Sequence, residues 1–157
     1  MDVAISINKT LIQGVSLTPL TIIEDDRGAV LHMLRADVAH FQGFGEVYFS
    51  ETKPGVVKGW KQHKKMTQNF SVPAGRVKLI IYDDRPDSAT RGVIGEYRLG
   101  RNAEAYQLLT VPPGLWYGFQ CLGDTPALIA NCSDMPHDPN ESIQVPLSSD
   151  EVPYDWC

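Results

Sequence analysis

Residues 55–75 read GVVKGWKQHKKMTQNFSVPAG. The stretch opens on Gly55, closes on Gly75 and carries four lysines and one histidine among β-favouring apolar residues. A β-strand sends successive side chains to opposite faces, so Lys61 and His63 share a face. Two basic groups on one face are ordinary where that face meets water. Where it lines a barrel, they make a site.

Strand signals recur outward from this stretch in both directions. Val3–Ile7, Leu17–Glu24, Ala29–Leu34, Gly45–Ser50, Val56–His63, Met66–Val72, Arg76–Tyr82, Val93–Leu99, Tyr106–Val111, Trp116–Leu122 and Ala127–Asn131 are short and rich in β-branched or aromatic residues. Turn chemistry separates them at Asp26-Arg27-Gly28, Lys53-Pro54-Gly55, Pro73-Ala74-Gly75, Arg85-Pro86-Asp87, Gly100-Arg101-Asn102, Pro112-Pro113-Gly114 and Gly123-Asp124. Within Arg76–Tyr82, Leu79 and Ile81 alternate with Lys78, Ile80 and Tyr82, the period of a strand with one core face. Only Arg35–Phe41 hints at a helix. Closely spaced strands with almost no helix predict an all-β sandwich or barrel. From Pro136 onward, Pro139, Pro146 and Pro153 preclude a regular element, and the expectation is a tail over residues 136–157 laid on a barrel core of about 20–135. No repeat, low-complexity tract or linker divides the chain, so one domain spanning residues 1–157 is expected.

The composition narrows the function classes. The chain has 157 residues, 21% charged and 43% hydrophobic, with a formal net charge of -5. Its one dense basic cluster, Lys58–Lys65, favours a small anionic ligand over a polyanion, and nucleic acid is not an expected partner. Cys121, Cys132 and Cys157 form an odd set without C-x-x-C spacing, which argues against a disulfide framework or structural zinc and suits a reducing cytoplasm. No signal peptide or membrane-spanning apolar run is visible. The P-loop, the G-x-S-x-G elbow and the G-x-G-x-x-G turn are missing, leaving NTPase, hydrolase and Rossmann chemistry without support. The pairs Asp25-Asp26 and Asp83-Asp84 fall at predicted turns rather than forming a glycosidase pair.

Several segments, taken in order, resemble the dTDP-4-dehydrorhamnose 3,5-epimerase-like family of sugar-nucleotide epimerases. They are Asp26-Arg27-Gly28, Val56-Val57-Lys58-Gly59, Gly75-Arg76-Val77-Lys78 leading into Tyr82-Asp83-Asp84-Arg85, Ser88–Gly92, Val111–Phe119 and Asp138–Glu141. Trp60, His63, Lys64, Trp116, Pro136–Pro139 and Tyr154-Asp155-Trp156 are similar to a short branch of that family with a G-W-H-x-H-K motif. The resemblance implies a cupin jelly roll with an N-terminal strand extension, a homodimer, and a site inside the barrel. It implies a nucleoside-diphosphate 4-keto-sugar as ligand, with epimerisation at C3 and C5 through enolates and no metal or cofactor.

Carried over by position, the resemblance makes Arg27 a diphosphate contact, often across the dimer interface, and Lys58 a second one in place of the usual arginine. Lys61 stands where the family has its catalytic histidine, and Gln68 where it has an enolate-stabilising lysine. Asn131 (or Ile129) aligns with the catalytic tyrosine, and Tyr117 with a second barrel histidine. The family's supporting aspartate lies beyond the point where this chain ends, so that carboxylate is expected to be missing. Lys61, His63 and Tyr117 are therefore the catalytic candidates, and Arg27, Lys58, Gln68, Tyr48 and Asn131 the substrate-binding ones. A metal-binding cupin would need more ligands than the series Lys61, His63, Gln68 and Tyr117 offers. Three readings stay open: an epimerase or isomerase with substituted acid–base groups, a barrel that binds a sugar nucleotide without turning it over, and a barrel repurposed for another enolate or elimination reaction with Lys61 as the novel group.

Overall fold

The computed structural model describes residues 12–156, and among them there is no helix and hence none that could cross a membrane. Twelve strands run in order: β1 Ser16–Pro19, β2 Ile22–Asp25, β3 Gly28–Leu31, β4 Glu46–Thr52, β5 Val57–His63, β6 Gln68–Ala74, β7 Arg76–Asp83, β8 Ile94–Gly100, β9 Gln107–Val111, β10 Leu115–Leu122, β11 Ala127–Ser133 and β12 Ser142–Gln144. Two antiparallel five-stranded sheets, β1-β9-β6-β11-β4 and β12-β5-β10-β7-β8, face each other, and β2-β3 forms a separate hairpin. The chain passes from one sheet to the other at β4–β5, β5–β6, β6–β7, β8–β9, β9–β10, β10–β11 and β11–β12. This is the cupin jelly roll.

The sheet changes explain the glycines that bracket residues 55–75. Gly75 is the sole residue between β6 and β7 and has φ of 76°. A Cβ there would lie 2.6 Å from Ala127 Cα. Only glycine turns that corner without strain or collision.

Inward-facing residues of both sheets make the main core. Phe70, Val72, Leu109 and Ile129 come from one sheet, and Val77, Leu79, Ile81, Leu115 and Phe119 from the other. The outer face of the second sheet is apolar as well. Trp60 on β5, Ile80 on β7 and Trp116 on β10 form a second cluster, covered by Val145, Val152, Tyr154 and Trp156. Trp60 is fully buried there and meets Trp156 with ring centroids 5.1 Å apart. The residues after 144 are thus held by burial of a sheet face that would otherwise meet water.

Three sequence expectations change, and a fourth is not reached by the described residues. Leu17–Glu24 is two strands, because Pro19 ends β1 and Leu20 turns its N–H to the Tyr106 carbonyl. Arg35–Phe41 is not helical: its backbone makes only the turn bonds Val38 N to Arg35 O and Phe41 N to Val38 O. The prolines of the tail flank rather than interrupt β12, which pairs Ser142, Ile143 and Gln144 with His63, Gln62 and Lys61. The expected strand Val3–Ile7 lies outside the described residues.

Replacing Trp60 with alanine removes the centre of the outer cluster. Trp60→Ala is expected to destabilise the protein by about 3–5 kcal/mol, read as a lower urea midpoint at unchanged slope. A loss below about 1 kcal/mol would show that the covered face is not needed for stability.

Candidate active site

β5 is the strand that builds the site. Strict alternation would send Lys58 and Lys61 to opposite faces. A bulge prevents this: Tyr117 pairs with Lys61 and Phe119 with Lys58, so the step between the two on β10 is matched by a longer step on β5. Both lysines line the same cavity inside the barrel mouth, of about 270 Å³. Tyr48, Ser50, Phe70, Tyr117, Phe119, Ile129, Asn131 and Gln144 complete most of its wall. Among the described residues, Lys58 and Lys61 are the charged ones of that lining, and no carboxylate joins them. Lys58 Nζ donates to the Glu51 carbonyl at 2.7 Å. An ammonium has three donors, so it retains capacity for an anion.

Behind the wall lies a chain of hydrogen bonds whose direction is set at both ends by backbone N–H groups. At one end, Glu141 Oε2 accepts from Lys65 N at 2.9 Å and Met66 N at 2.8 Å. Glu141 Oε1 meets His63 Nδ1 at 2.6 Å. A carboxylate held by those donors accepts, so Nδ1 carries the imidazole proton and Nε2 is left to accept from the Tyr117 hydroxyl at 3.1 Å. At the other end, Asn69 N donates to Asn131 Oδ1 at 3.2 Å, which turns Asn131 Nδ2 toward Gln68 Oε1 and toward the Tyr48 oxygen, 2.9 Å away. Gln68 therefore presents Nε2 to the Tyr117 oxygen at 3.5 Å. Tyr117 accepts from Gln68 and donates to His63.

The protonation states follow. Burial lowers the His63 pKa from its ordinary 6.5; Glu141 pulls it back without cancelling the shift, and the charges of Lys61 and His137 lower it further. Burial alone would raise Glu141, but the bonds from His63, Lys65 and Met66 prevail and hold it below the ordinary glutamate value. Burial raises Tyr117 well above the usual phenol range, and Tyr48 and Glu141 add to the shift. At neutral pH the trio is a carboxylate, a neutral imidazole and a neutral phenol.

Five of the eight candidate residues, Lys58, Lys61, Tyr48, Tyr117 and Asn131, therefore share one cavity wall. His63 and Gln68 stand just behind it and reach it through Tyr117 and Asn131. Arg27 is not brought there: it sits in the β2–β3 turn, largely exposed and paired with Asp25 at 2.6 Å. The structure does show a supporting carboxylate, Glu141, on His63 rather than on Lys61, and the sequence reading placed it only in the Asp138–Glu141 segment without a role. It stands 78 residues from His63, and no local signal joins the two. Among the described residues no cluster of three or more His, Cys, Asp or Glu could hold a metal ion.

Comparison with known proteins agrees with this architecture. The profile of the family described as dTDP-4-dehydrorhamnose 3,5-epimerase matches residues 9–156. The chain is 34% identical over 150 residues to the probable low-salt glycan biosynthesis epimerase Agl13 of Haloferax volcanii, covering 92% of this chain and 94% of that one. It is 30% identical over 148 residues to the spore coat polysaccharide biosynthesis protein SpsL of Bacillus subtilis, covering 93% and 97%. The crystal structure of a dTDP sugar isomerase from Desulfovibrio desulfuricans superposes with a TM-score of 0.90 at 46% identity, covering 93% of this chain and 92% of that one.

The lowered His63 pKa has a measurable consequence for stability. As pH falls below about 6.5, the unfolded chain takes up a proton that folded His63 refuses. The stability this histidine confers is full above pH 6.5 and is lost as pH falls toward its lower folded pKa. Glu141, also lowered, loses its share below its ordinary 4.5. The His63 imidazole is expected to titrate below 6.5 by NMR, with the urea midpoint declining between pH 7 and 5; titration above 6.5 would contradict the buried neutral assignment.

Proposed function

The chain belongs to the dTDP-4-dehydrorhamnose 3,5-epimerase family, and from that premise we propose that it is a nucleotide-sugar epimerase or isomerase. Its substrate is a nucleoside-diphosphate 4-keto-6-deoxyhexose, and its chemistry is proton transfer at C3, C5 or both. The observation that carries this reading is the cavity itself. Two lysines and, among the described residues, no carboxylate make it an anion site, while Tyr117, backed by His63 and Glu141, puts an acid–base group on its wall.

The cavity is slightly smaller than the roughly 300–1,000 Å³ of ordinary ligand pockets, which suits a sugar ring inside and a nucleotide at the mouth. Lys58, near the exposed end of β5, is the diphosphate anchor. The 4-keto group acidifies its neighbouring C–H bonds, and the charge that develops on its oxygen needs a donor. Tyr48 fits that role. Its oxygen already accepts from Asn131, so its own proton is available to the cavity.

A second copy of the chain completes the site in this reading. On β4, Tyr48 and Ser50 line the cavity, whereas Val47 and Phe49 alternate outward and are 47% and 63% exposed. Ile23 and Val30 on the β2–β3 hairpin are exposed as well. In this reading the apolar edge strand β4 and the exposed apolar hairpin favour association of two copies, and the hairpin carries Arg27 to the partner's cavity mouth. The names of the relatives point to polysaccharide or glycan assembly as the use of the product.

Incubation with dTDP-4-keto-6-deoxyglucose in deuterated water should place deuterium at C3 or C5 and invert at least one centre, followed by NMR. No exchange, with ligand-dependent thermal stabilisation retained, would instead support a barrel that only binds. Tyr48→Phe is expected to lower kcat by about 10²–10³ with little change in KM, the pattern of a lost oxyanion donor. Phe49→Asp should shift the protein from dimer to monomer in sedimentation; an unchanged mass would remove β4 from the interface.

A further inference from the structure

The hydrogen-bond polarity around Tyr117 allows a sharper assignment, which rests on the epimerase reading above. We propose that Tyr117 is the group that removes the substrate proton, acting through His63 and Glu141 as a relay, and that Lys61 serves as the acid rather than the base. The position of Lys61 by resemblance argues for the reverse. The geometry argues for the relay.

Tyr117 O–H points at His63 Nε2, and His63 Nδ1–H points at Glu141, so a proton entering at the Tyr117 oxygen has an exit already aligned. In the step, the C–H bond next to the 4-keto group breaks and its proton bonds to the Tyr117 oxygen. The phenol proton passes to His63 Nε2. The electron pair becomes the enolate, and the new imidazolium rests against the Glu141 carboxylate. Tyr117 ends the step neutral, as its burial requires, since a free phenolate there is strongly disfavoured. The carboxylate, accepting from two backbone N–H groups and from His63, orients the imidazole and stabilises its cation.

Lys61 is the cross-strand partner of Tyr117 and lines the same cavity, with no hydrogen-bond partner for its ammonium among the described residues. In this assignment its long, flexible stem carries the ammonium to the ring face that Tyr117 does not touch. There it neutralises the enolate and returns a proton to carbon, closing the C–H bond and leaving an amine. Exchange with water then takes the proton from His63 and restores the one on Lys61.

The groups facing His63 are Glu141, Tyr117, Lys61 and His137. The test uses dTDP-4-keto-6-deoxyglucose in deuterated water, with deuterium in recovered substrate and inversion in product measured separately. Wild type must exchange; if it does not, the epimerase reading fails and the relay with it. Given wild-type exchange, Tyr117→Phe is expected to lose about 10²–10⁴-fold of it, with a wild-type melting curve as the folding control. Retained exchange in Tyr117→Phe overturns the relay. Lys61→Met is expected to lose inversion while keeping exchange in recovered substrate.

If both variants lose exchange, the pH profile of wild-type kcat/KM decides. A relay base gives an acid limb below pH 6.5 that moves lower still in Glu141→Gln, because the charge holding His63 up is gone. Activity that climbs through the alkaline range, with Glu141→Gln unchanged in profile, assigns the base to Lys61 and overturns the proposal.

Discussion

A single buried carboxylate ties this molecule together. Glu141 is 5% exposed, and taking an unpaired charge that far from water would cost several kcal/mol. It is not unpaired. Its two oxygens meet His63 Nδ1 and the backbone N–H groups of Lys65 and Met66, so the charge is exchanged between solvent and three oriented donors. Those donors sit at the end of β5 and in the corner leading to β6. Glu141 also closes the backbone at that corner, where Lys64 N donates to its carbonyl. The β5–β6 crossing, the imidazole tautomer and the entry of β12 onto the sheet therefore share one anchor. None can shift without leaving the carboxylate partly unsatisfied.

β5 carries two structures at once, one on each face. Inward it presents Lys58, Lys61 and His63; outward it presents Trp60 to the aromatic cluster under the tail. Rigidity on the outer face serves geometry on the inner one. Trp60 meets Tyr154 and Trp156 edge-on and at a tilt, arrangements that hold ring orientation as well as bury area. Lys78 closes over both tail rings at 5.6 and 5.5 Å, adding a cation–π contact at the edge of the cluster. A strand pinned on its far side by fully buried indole is a better platform for proton transfer than a loop would be.

The sequence showed the strands because each is short, β-rich and bounded by turn residues, and those signals are local. The shared face of Lys61 and His63 was legible for the same reason: parity needs only the strand itself. The inward turn of Lys58 was not, since the bulge exists only where β5 meets β10 and the mismatch belongs to the pair. Glu141 was hidden by its distance along the chain, 78 residues from His63. Arg35–Phe41 only hinted at a short helix. In the fold, Arg35 instead pairs with Asp37 at 2.7 Å, and only isolated turn bonds form. Arg27 was identified by its motif, but in the fold it lies exposed in the β2–β3 turn, paired with Asp25 and away from the cavity wall.

The substituted positions make sense as a set. Gln68 and Asn131 stand where the resemblance places an ionisable lysine and tyrosine, and neither amide can carry a proton through. What an amide has is fixed polarity, an oxygen that only accepts and a nitrogen that only donates. Anchored by Asn69 N, the pair transmits that polarity to the Tyr117 oxygen on one side and to the Tyr48 oxygen on the other. The two tyrosines of the cavity thereby become inequivalent. Tyr117 has its proton committed to His63, whereas Tyr48 keeps its proton for whatever occupies the cavity. With amides at and just behind the wall, the titratable groups left there are Tyr117, His63 and Lys61. A charge that develops on the ligand meets donors whose directions were set before it arrived, and preorganisation of that kind lowers a barrier without any rearrangement at the moment of reaction.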